Sequence, residues 1–413
     1  MKENTVSHKI KISSEGILAI LIILFAFQRA FEDVIPVFSY IDESIGLLVL
    51  LAWIYKIIST KTIIISKEYK VITLFLLLYL LTNIIGNILY RYQILSSVLI
   101  DAFTNLKFYL SIAFTVVFIK KDPRMFKFIP YLAKGLTLFL LLLFVVDYAM
   151  DIFPHGYRYG MRYPKLYFGH PTYFAGFLAF LIALLSYYGV KKNITFIFFN
   201  IFMMIATLRG KAIGAVLFYI LLCFIVQVMN SRLNKWKIVI IGLSVMCIAW
   251  QQISFYYIDL ADRSARSVIL FSSFKVMADY FPIGTGFGTY GSHEAFAHYS
   301  PVYDMYGFGL VDELSEDSNF YDDQFWPIVF GQSGFIGTVL YIYILYLIFK
   351  KVQMIRKMGM GQYISSAFCF FYLLICSSSE PAFNNMVAVP LGVVIGMTFL
   401  SLKKEYNKLQ RKP

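Results

Sequence analysis

Apolar runs of about 20 residues, separated by short polar breaks, follow one another along nearly the whole chain. Each run is long enough to cross a bilayer at helical rise. Lipid offers the backbone no hydrogen-bond partner but itself, so each run predicts a helix. The pattern predicts helices near 14–36, 43–59, 69–90, 98–119, 126–150, 171–189, 194–208, 212–229, 237–257, 325–349, 362–378 and 385–402. The expected fold is therefore an all-α polytopic membrane protein of about twelve transmembrane helices, forming one integral membrane domain over residues 1–413.

Two connections break the rhythm. Residues 151–170 read DIFPHGYRYGMRYPKLYFGH, and residues 258–324 form the one long polar stretch, between the ninth and tenth expected helices. Loops above about 15 residues in a compact domain are usually functional or disordered. The aromatic content of the longer one argues against disorder. Its early part carries an apolar stripe at helical spacing, Leu270, Phe274, Met277 and Phe281. Arg263 and Arg266 continue the stripe, which predicts an interfacial helix holding both guanidiniums at headgroup depth. Snorkelling anchors are the plainer reading of the same two arginines.

Composition agrees with the pattern. Hydrophobic residues make up 59% of the chain and charged residues 15%, against about 25% charged in soluble domains. Mean hydropathy is +0.69. A net charge of +13 would suit a nucleic-acid binder, but its placement points elsewhere. Lys and Arg gather in alternate connections, at Lys61/Lys67/Lys70, Lys120/Lys121/Arg124/Lys127, Lys191/Lys192, Arg232/Lys235/Lys237 and Lys350/Lys351/Arg356/Lys357, and in the tail from Lys403 to Lys412. This is the positive-inside bias. It predicts a cytoplasmic (inner) membrane protein with both termini in the cytoplasm, partnered by the lipid bilayer and not by nucleic acid. The four cysteines fall in apolar runs, so no disulfide framework is expected. His293 and His298 have no third ligand at a metal-binding spacing, and no metal or other cofactor is expected.

The orientation leaves an unexpected set of cations outside. Arg158, Arg162 and Lys165 lie in the first long loop, Arg209 and Lys211 in the turn TLRGKA, and Arg263 and Arg266 in the second. Arg carries a permanent charge on a planar fork matched to phosphate oxygens, so several on one cavity would suit a pyrophosphate. Pairing with outer carboxylates is the bland alternative. Gly284, Gly286 and Gly288 imitate a dinucleotide fingerprint without the preceding strand, which leaves a tight glycine turn. The run Asp317 to Gln324 sets carboxylates at the mouth of a span, where Asp323 would serve as a general base or stand as a solvated charge. Gly331, Gly334 and Gly337, like Gly392 and Gly396, read as sites of close helix packing. Tyr299, Tyr303, Tyr306, Phe308, Tyr321 and Trp326 would either stack on sugar rings or anchor at the membrane interface.

In that order the motifs resemble those of the O-antigen polymerase and ligase superfamily (Wzy-like and WaaL-like proteins). Arg158, ten residues, then Gly169 is similar to the Arg-x10-Gly element of the polymerases' first large periplasmic loop. The stretch GHPTYFAGFLA, with His170 at its head, resembles the opening of the next family helix, and Thr207-Leu-Arg209-Gly210 resembles the family's SRG turn. Phe281 to Gly288 is similar to a P-l-x-G-x-G-x-G element. Asp323-Gln324, nine residues, then Gly334-Phe-Ile-Gly337-Thr338 keeps the register of the ligase motif, with Asp where the ligases carry His. That departure favours the polymerase branch.

The resemblance implies a GT-C-like glycosyltransferase that joins undecaprenyl-pyrophosphate-linked oligosaccharide repeat units into O-antigen, capsule or exopolysaccharide, with a chain-length regulator protein as a further partner. It implies a metal-independent reaction in which Arg263, Arg266 and Arg209 stabilise the leaving pyrophosphate. Arg158, Arg162, His170 and Lys211 would bind substrate, and Asp323 would take the acceptor's proton or orient it. A ligase-type transferase is the near alternative. A lipid-linked oligosaccharide flippase is the alternative from another class; it should show internal repeats and ionisable groups at the bilayer midplane.

Overall fold

Each expected run carries a helix in the computed structural model, which describes residues 13–32, 34–60, 67–231, 233–260, 264–314 and 320–410. The first nine helices are α1 (Ser14–Glu32), α2 (Ile41–Thr60), α3 (Lys67–Tyr90), α4 (Leu95–Phe118), α5 (Phe128–Met150), α6 (Pro171–Tyr187), α7 (Ile194–Ala206), α8 (Gly210–Cys223) and α9 (Lys235–Ser254). The long connection contributes α10 (Ala265–Asp279), α11 (His293–Ala297) and α12 (Pro301–Met305), and the chain closes with α13 (Phe325–Ile355), α14 (Met360–Cys376) and α15 (Ala388–Gln410). Among the described residues, seven helices are long and apolar enough to cross a membrane, while α6 and α14 are shorter apolar helices.

The helices have two distinct ends. At one, the start of α1, the end of α4 and α15 meet: Ser14 accepts from the Lys120 amide, and Arg124 bridges Asp122 and Glu405. This end gathers Lys120, Lys121, Arg124 and Lys404 and is the basic face. The opposite end carries both long connections and is the loop face. Small residues set the closest helix pair. A Cβ on Gly392 would lie 1.9 Å from Ser111 Oγ, and one on Gly396 2.5 Å from the Ile112 carbonyl, so α15 seats its backbone directly on α4.

The first long connection contains a feature outside the all-α expectation. Strands β1 (Gly156–Arg158) and β2 (Met161–Tyr163) pair antiparallel across Tyr159-Gly160, both with positive φ, as a two-residue primed turn requires. Tyr157 opposes Arg162 and Arg158 opposes Met161, so the two arginines point to opposite faces of the ribbon.

The second connection is a folded cap with its own core. Ile269 and Val276 of α10 pack with Tyr290, Tyr303, Phe308 and Tyr321, all of them buried. Tyr303 stacks on Phe308 at 5.2 Å and meets Tyr321 at 4.7 Å. Tyr303, Phe308 and Tyr321 are therefore core residues and unavailable for stacking on sugars; the sequence pattern alone cannot separate the two roles. Of the expected stripe, Leu270 and Met277 are half-buried on α10, Phe274 rests on Phe330, and Phe281, just past the helix, rests on Phe335, so the stripe lies along α13.

The cap is tied to the bundle through glycine. Helix α13 breaks at Gly334 (φ 59°, ψ −159°), and the turn at Gly284 (φ 84°) fits into the break. A Cβ on either glycine would lie 2.3 Å from the other's backbone nitrogen. Gly286 N donates to Gln332 O (2.9 Å) and Ile336 N to Pro282 O (3.0 Å), so the loop supplies bonds the broken helix lacks. Asn87 of α3 clasps Phe287 through both backbone groups at 2.9 Å, and Asp101 of α4 accepts from Gly288 N at 2.9 Å. Gly334 thus serves a loop-into-helix joint rather than the helix–helix packing that its spacing suggests.

Gly334→Ala should destabilise the protein by well over about 1–3 kcal/mol, because backbone strain and collision coincide. Gly135, with open space around its Cβ position, is the control: Gly135→Ala should be neutral or slightly stabilising. Thermal unfolding of both variants in detergent checks this.

Candidate functional site

The loop face gathers cations around the start of α6. His170 is the N-cap of α6, its Nδ1 3.3 Å from the Thr172 amide, while Arg209 Nη2 stands 3.1 Å from Nε2. A guanidinium only donates, and a neutral imidazole offers one lone pair, so one of these contacts must go without its hydrogen bond. The imidazolium would satisfy neither. Burial against the surrounding protein, then the charges of Arg209, Lys211, Lys165 and Arg29, bring the His170 pKa down to about 4. His170 is thus a neutral ring at physiological pH.

Arg209 precedes α8 at the turn expected from TLRGKA. Burial, then the charges of Arg158 and Arg266, hold its pKa below the ordinary value, though a guanidinium remains protonated. Arg158, delivered by the hairpin, donates to the Leu208 carbonyl at 3.3 Å. Arg266 comes from α10, in the other long connection, so the cap and the first loop reach one centre. Lys211 makes a shielded pair with Glu380, 2.6 Å apart, between α8 and the turn after α14.

Not every expected residue joins this centre as a free group. Arg162 is on the other face of the hairpin and binds Asp147 (3.2 Å) and Asp151 (2.9 Å). It braces the first loop on α5. Arg266 pairs with Asp323 at 2.8 Å, the carboxylate just before α13. This bond holds the guanidinium against the protein at the start of α13. Arg263 and residues 317–319 of the acidic run lie outside the described residues. Asp322 faces His293 at 3.7 Å, and Gln324, at the N-cap position of α13, donates to the Tyr257 hydroxyl instead of capping the helix. Among the described residues, no ion pair joins Arg158, Lys165 or Arg209 to a carboxylate.

Several residues at the site carry no sequence signal. Arg29, in the last turn of α1, sets its guanidinium 4.1 Å over the ring of Tyr173. Lys107 lies midway along α4 and bonds Asp42 (2.7 Å) and Glu43 (3.0 Å) at the start of α2, with Gln28 of α1 donating to Asp42 at 3.0 Å. These charges are 65 and 64 residues apart in the chain, so no local pattern links them. Buried charges inside an apolar helix are costly unless paired, and in membranes they mark function by default.

No family model matches the chain, and no curated protein matches it. The reading therefore stands on its own residues: a neutral imidazole and several arginines open towards one end of the bundle, with carboxylates at the rim. Such a surface is chemically matched to anionic oxygen groups.

The depressed pKa of His170 has a readable sign. The unfolded imidazole titrates near 6.5, so on acidification the unfolded state takes up its proton first. This contribution to stability is complete above about pH 6.5 and is lost as pH falls towards about 4, the His170 value in the fold. In a histidine NMR titration, assigned with His170→Gln, His170 should remain neutral at pH 5.5, and Arg209→Gln should move its titration towards 6.5. Protonation near 6.5 in the wild type would contradict the cation-crowded geometry.

Proposed function

We propose that the protein is a glycosyltransferase of the cytoplasmic membrane that polymerises undecaprenyl-pyrophosphate-linked oligosaccharide repeat units on its loop face, outside the cell. The observation that carries this reading is Arg209, 3.1 Å from a neutral His170 and within electrostatic reach of Arg158 and Arg266, which come from two other chain segments. The reading includes about twelve crossings with both termini in the cytoplasm, which the basic face and the alternating Lys-rich connections support.

In this reaction the acceptor's sugar hydroxyl attacks the anomeric carbon of the donor glycan. The glycosyl–oxygen bond to the carrier breaks, and its electron pair leaves on undecaprenyl pyrophosphate. Arg209 and Arg158 are suited to meet the charge that grows on those oxygens, since preorganised donors act most strongly where charge develops. Asp323, held by Arg266, is the carboxylate that would receive or orient the acceptor's proton. His170, neutral, offers a lone pair or an N–H to a sugar or phosphate oxygen. Arg162 and Lys211, each paired with carboxylates, support the walls.

One observation favours a second reading. The Lys107–Asp42–Glu43 group is the kind of ionisable cluster inside a span that lipid-linked oligosaccharide flippases would use.

Deleting the gene in its native host and resolving surface and lipid-linked glycans on a ladder gel separates these readings. Polymerase activity predicts single repeat units where the wild type shows a ladder; full-length polymer left on its carrier means ligase; repeat units trapped inside the cell mean flippase. With purified lipid-linked repeat units, Arg209→Ala and Arg266→Ala should each lower polymer formation by about 10²–10³-fold at unchanged protein level. Unchanged polymer in both variants would remove the arginines from the chemistry.

A further inference from the structure

A second recess lies away from the loop face. It is a cleft of about 470 Å³ between α2, α3 and α4, closed at the back by α13 and α15, and its walls include Leu50, Leu76, Leu110, Ala113 and Val116. That volume falls within the roughly 300–1,000 Å³ typical of ligand pockets. Along α4 the lining runs from Leu106 to Val117, away from the loop face. At helical rise this is about 16 Å. A single leaflet contributes about half of a 30 Å hydrocarbon core, so the cleft has the length of one acyl chain in one leaflet.

The mouth is not apolar. Lys403 of α15 lines the end nearest the basic face. Lys351 of α13 holds its ammonium 4.5 Å from the ring of Tyr69 and 5.8 Å from that of Phe399, two further lining residues. Two lysines over an apolar slot supply both halves of an amphiphile site, since basic pockets between transmembrane helices recruit anionic headgroups. The carrier-lipid chemistry proposed above belongs to the opposite end of the bundle and does not account for them.

We propose that this cleft binds one anionic glycerophospholipid from the leaflet on the basic side, its acyl chain between α2, α3 and α4 and its phosphate against Lys403 and Lys351. The bound lipid fills the gap between α2 and α3 and fastens α2, the helix that carries Asp42 and Glu43, to the bundle.

The test is native mass spectrometry of the full chain in detergent, titrated with phosphatidylglycerol and with phosphatidylcholine. One phosphatidylglycerol should be retained in preference, and the Lys351→Ala/Lys403→Ala double variant should lose that preference by roughly tenfold or more. Ala113→Trp, which fills the slot, should abolish retention of both lipids. Should that variant fold poorly, a phosphatidylglycerol with a photoreactive acyl chain provides an independent readout on the wild type. Crosslinks to Leu76, Leu110 or Val116 would support the site. Equal retention of the two lipids by the wild type, or crosslinks confined to other helices, would overturn it.

Discussion

The contact between Gly284 and Gly334 is a place where two backbones touch because neither residue has a Cβ, and much of the loop face depends on it. A membrane helix that breaks must have its exposed backbone groups satisfied by something other than lipid. Here the glycine turn of the cap provides them: Gly286 N and Ile336 N make bonds across the break, and Asn87 and Asp101 fasten the turn to α3 and α4. The turn directly follows α10, so it fixes where α10 ends. Arg266 at the start of α10 and Asp323 before α13 make a second tie between the same two elements.

Much of the helical framework is legible because hydrophobic run length is a strong signal; most boundaries agree to a few residues, while α13 and α15 run on past their expected ends to Ile355 and Gln410, where polar and basic residues extend the helix beyond the apolar run. Gly392 and Gly396 also behaved as their spacing suggested, since small residues four apart share one helix face. Other roles depended on partners distant in sequence. Gly334 has the spacing of a packing glycine, but its partner is 50 residues upstream. The aromatics of the cap carried two readings, and only the folded core shows that Tyr303, Phe308 and Tyr321 are buried. Arg158 and Arg162 looked equivalent until the hairpin register sent them to opposite faces. That register was written in Tyr159-Gly160, a turn signal masked by the loop's irregular composition.

Charge inside the bundle follows the same division. Positive-inside counting detects charges in connections and is blind to a lysine midway along a helix. Lys107 is tolerated because Asp42 and Glu43 approach it from α2, and Gln28 completes the shell around Asp42. Removing one partner from such a group leaves an unpaired buried charge, a loss on the order of 3–5 kcal/mol, whereas the intact group adds little net stability. The group is thus poorly explained as a stabilising device.

That centre repels itself. At about 4 Å and an effective dielectric of 20, two like charges oppose one another by about 4 kcal/mol, and even at greater separations several cations raise one another's energy. Arg158 and Arg266 both act against Arg209, and four cations act against protonation of His170. The nearest carboxylates relieve this only in part: Glu380 acts on Arg209 but is shared with Lys211, Asp323 offsets Arg266, and Asp147 and Asp151 are engaged by Arg162. A fold held only for stability would gain by exchanging Arg209 for a neutral residue. A site that receives a phosphate or pyrophosphate gains from keeping it, because the strain is released when an anion arrives. The release is largest where the anion's charge is greatest, and for a pyrophosphate leaving a sugar that point comes as the glycosidic bond breaks.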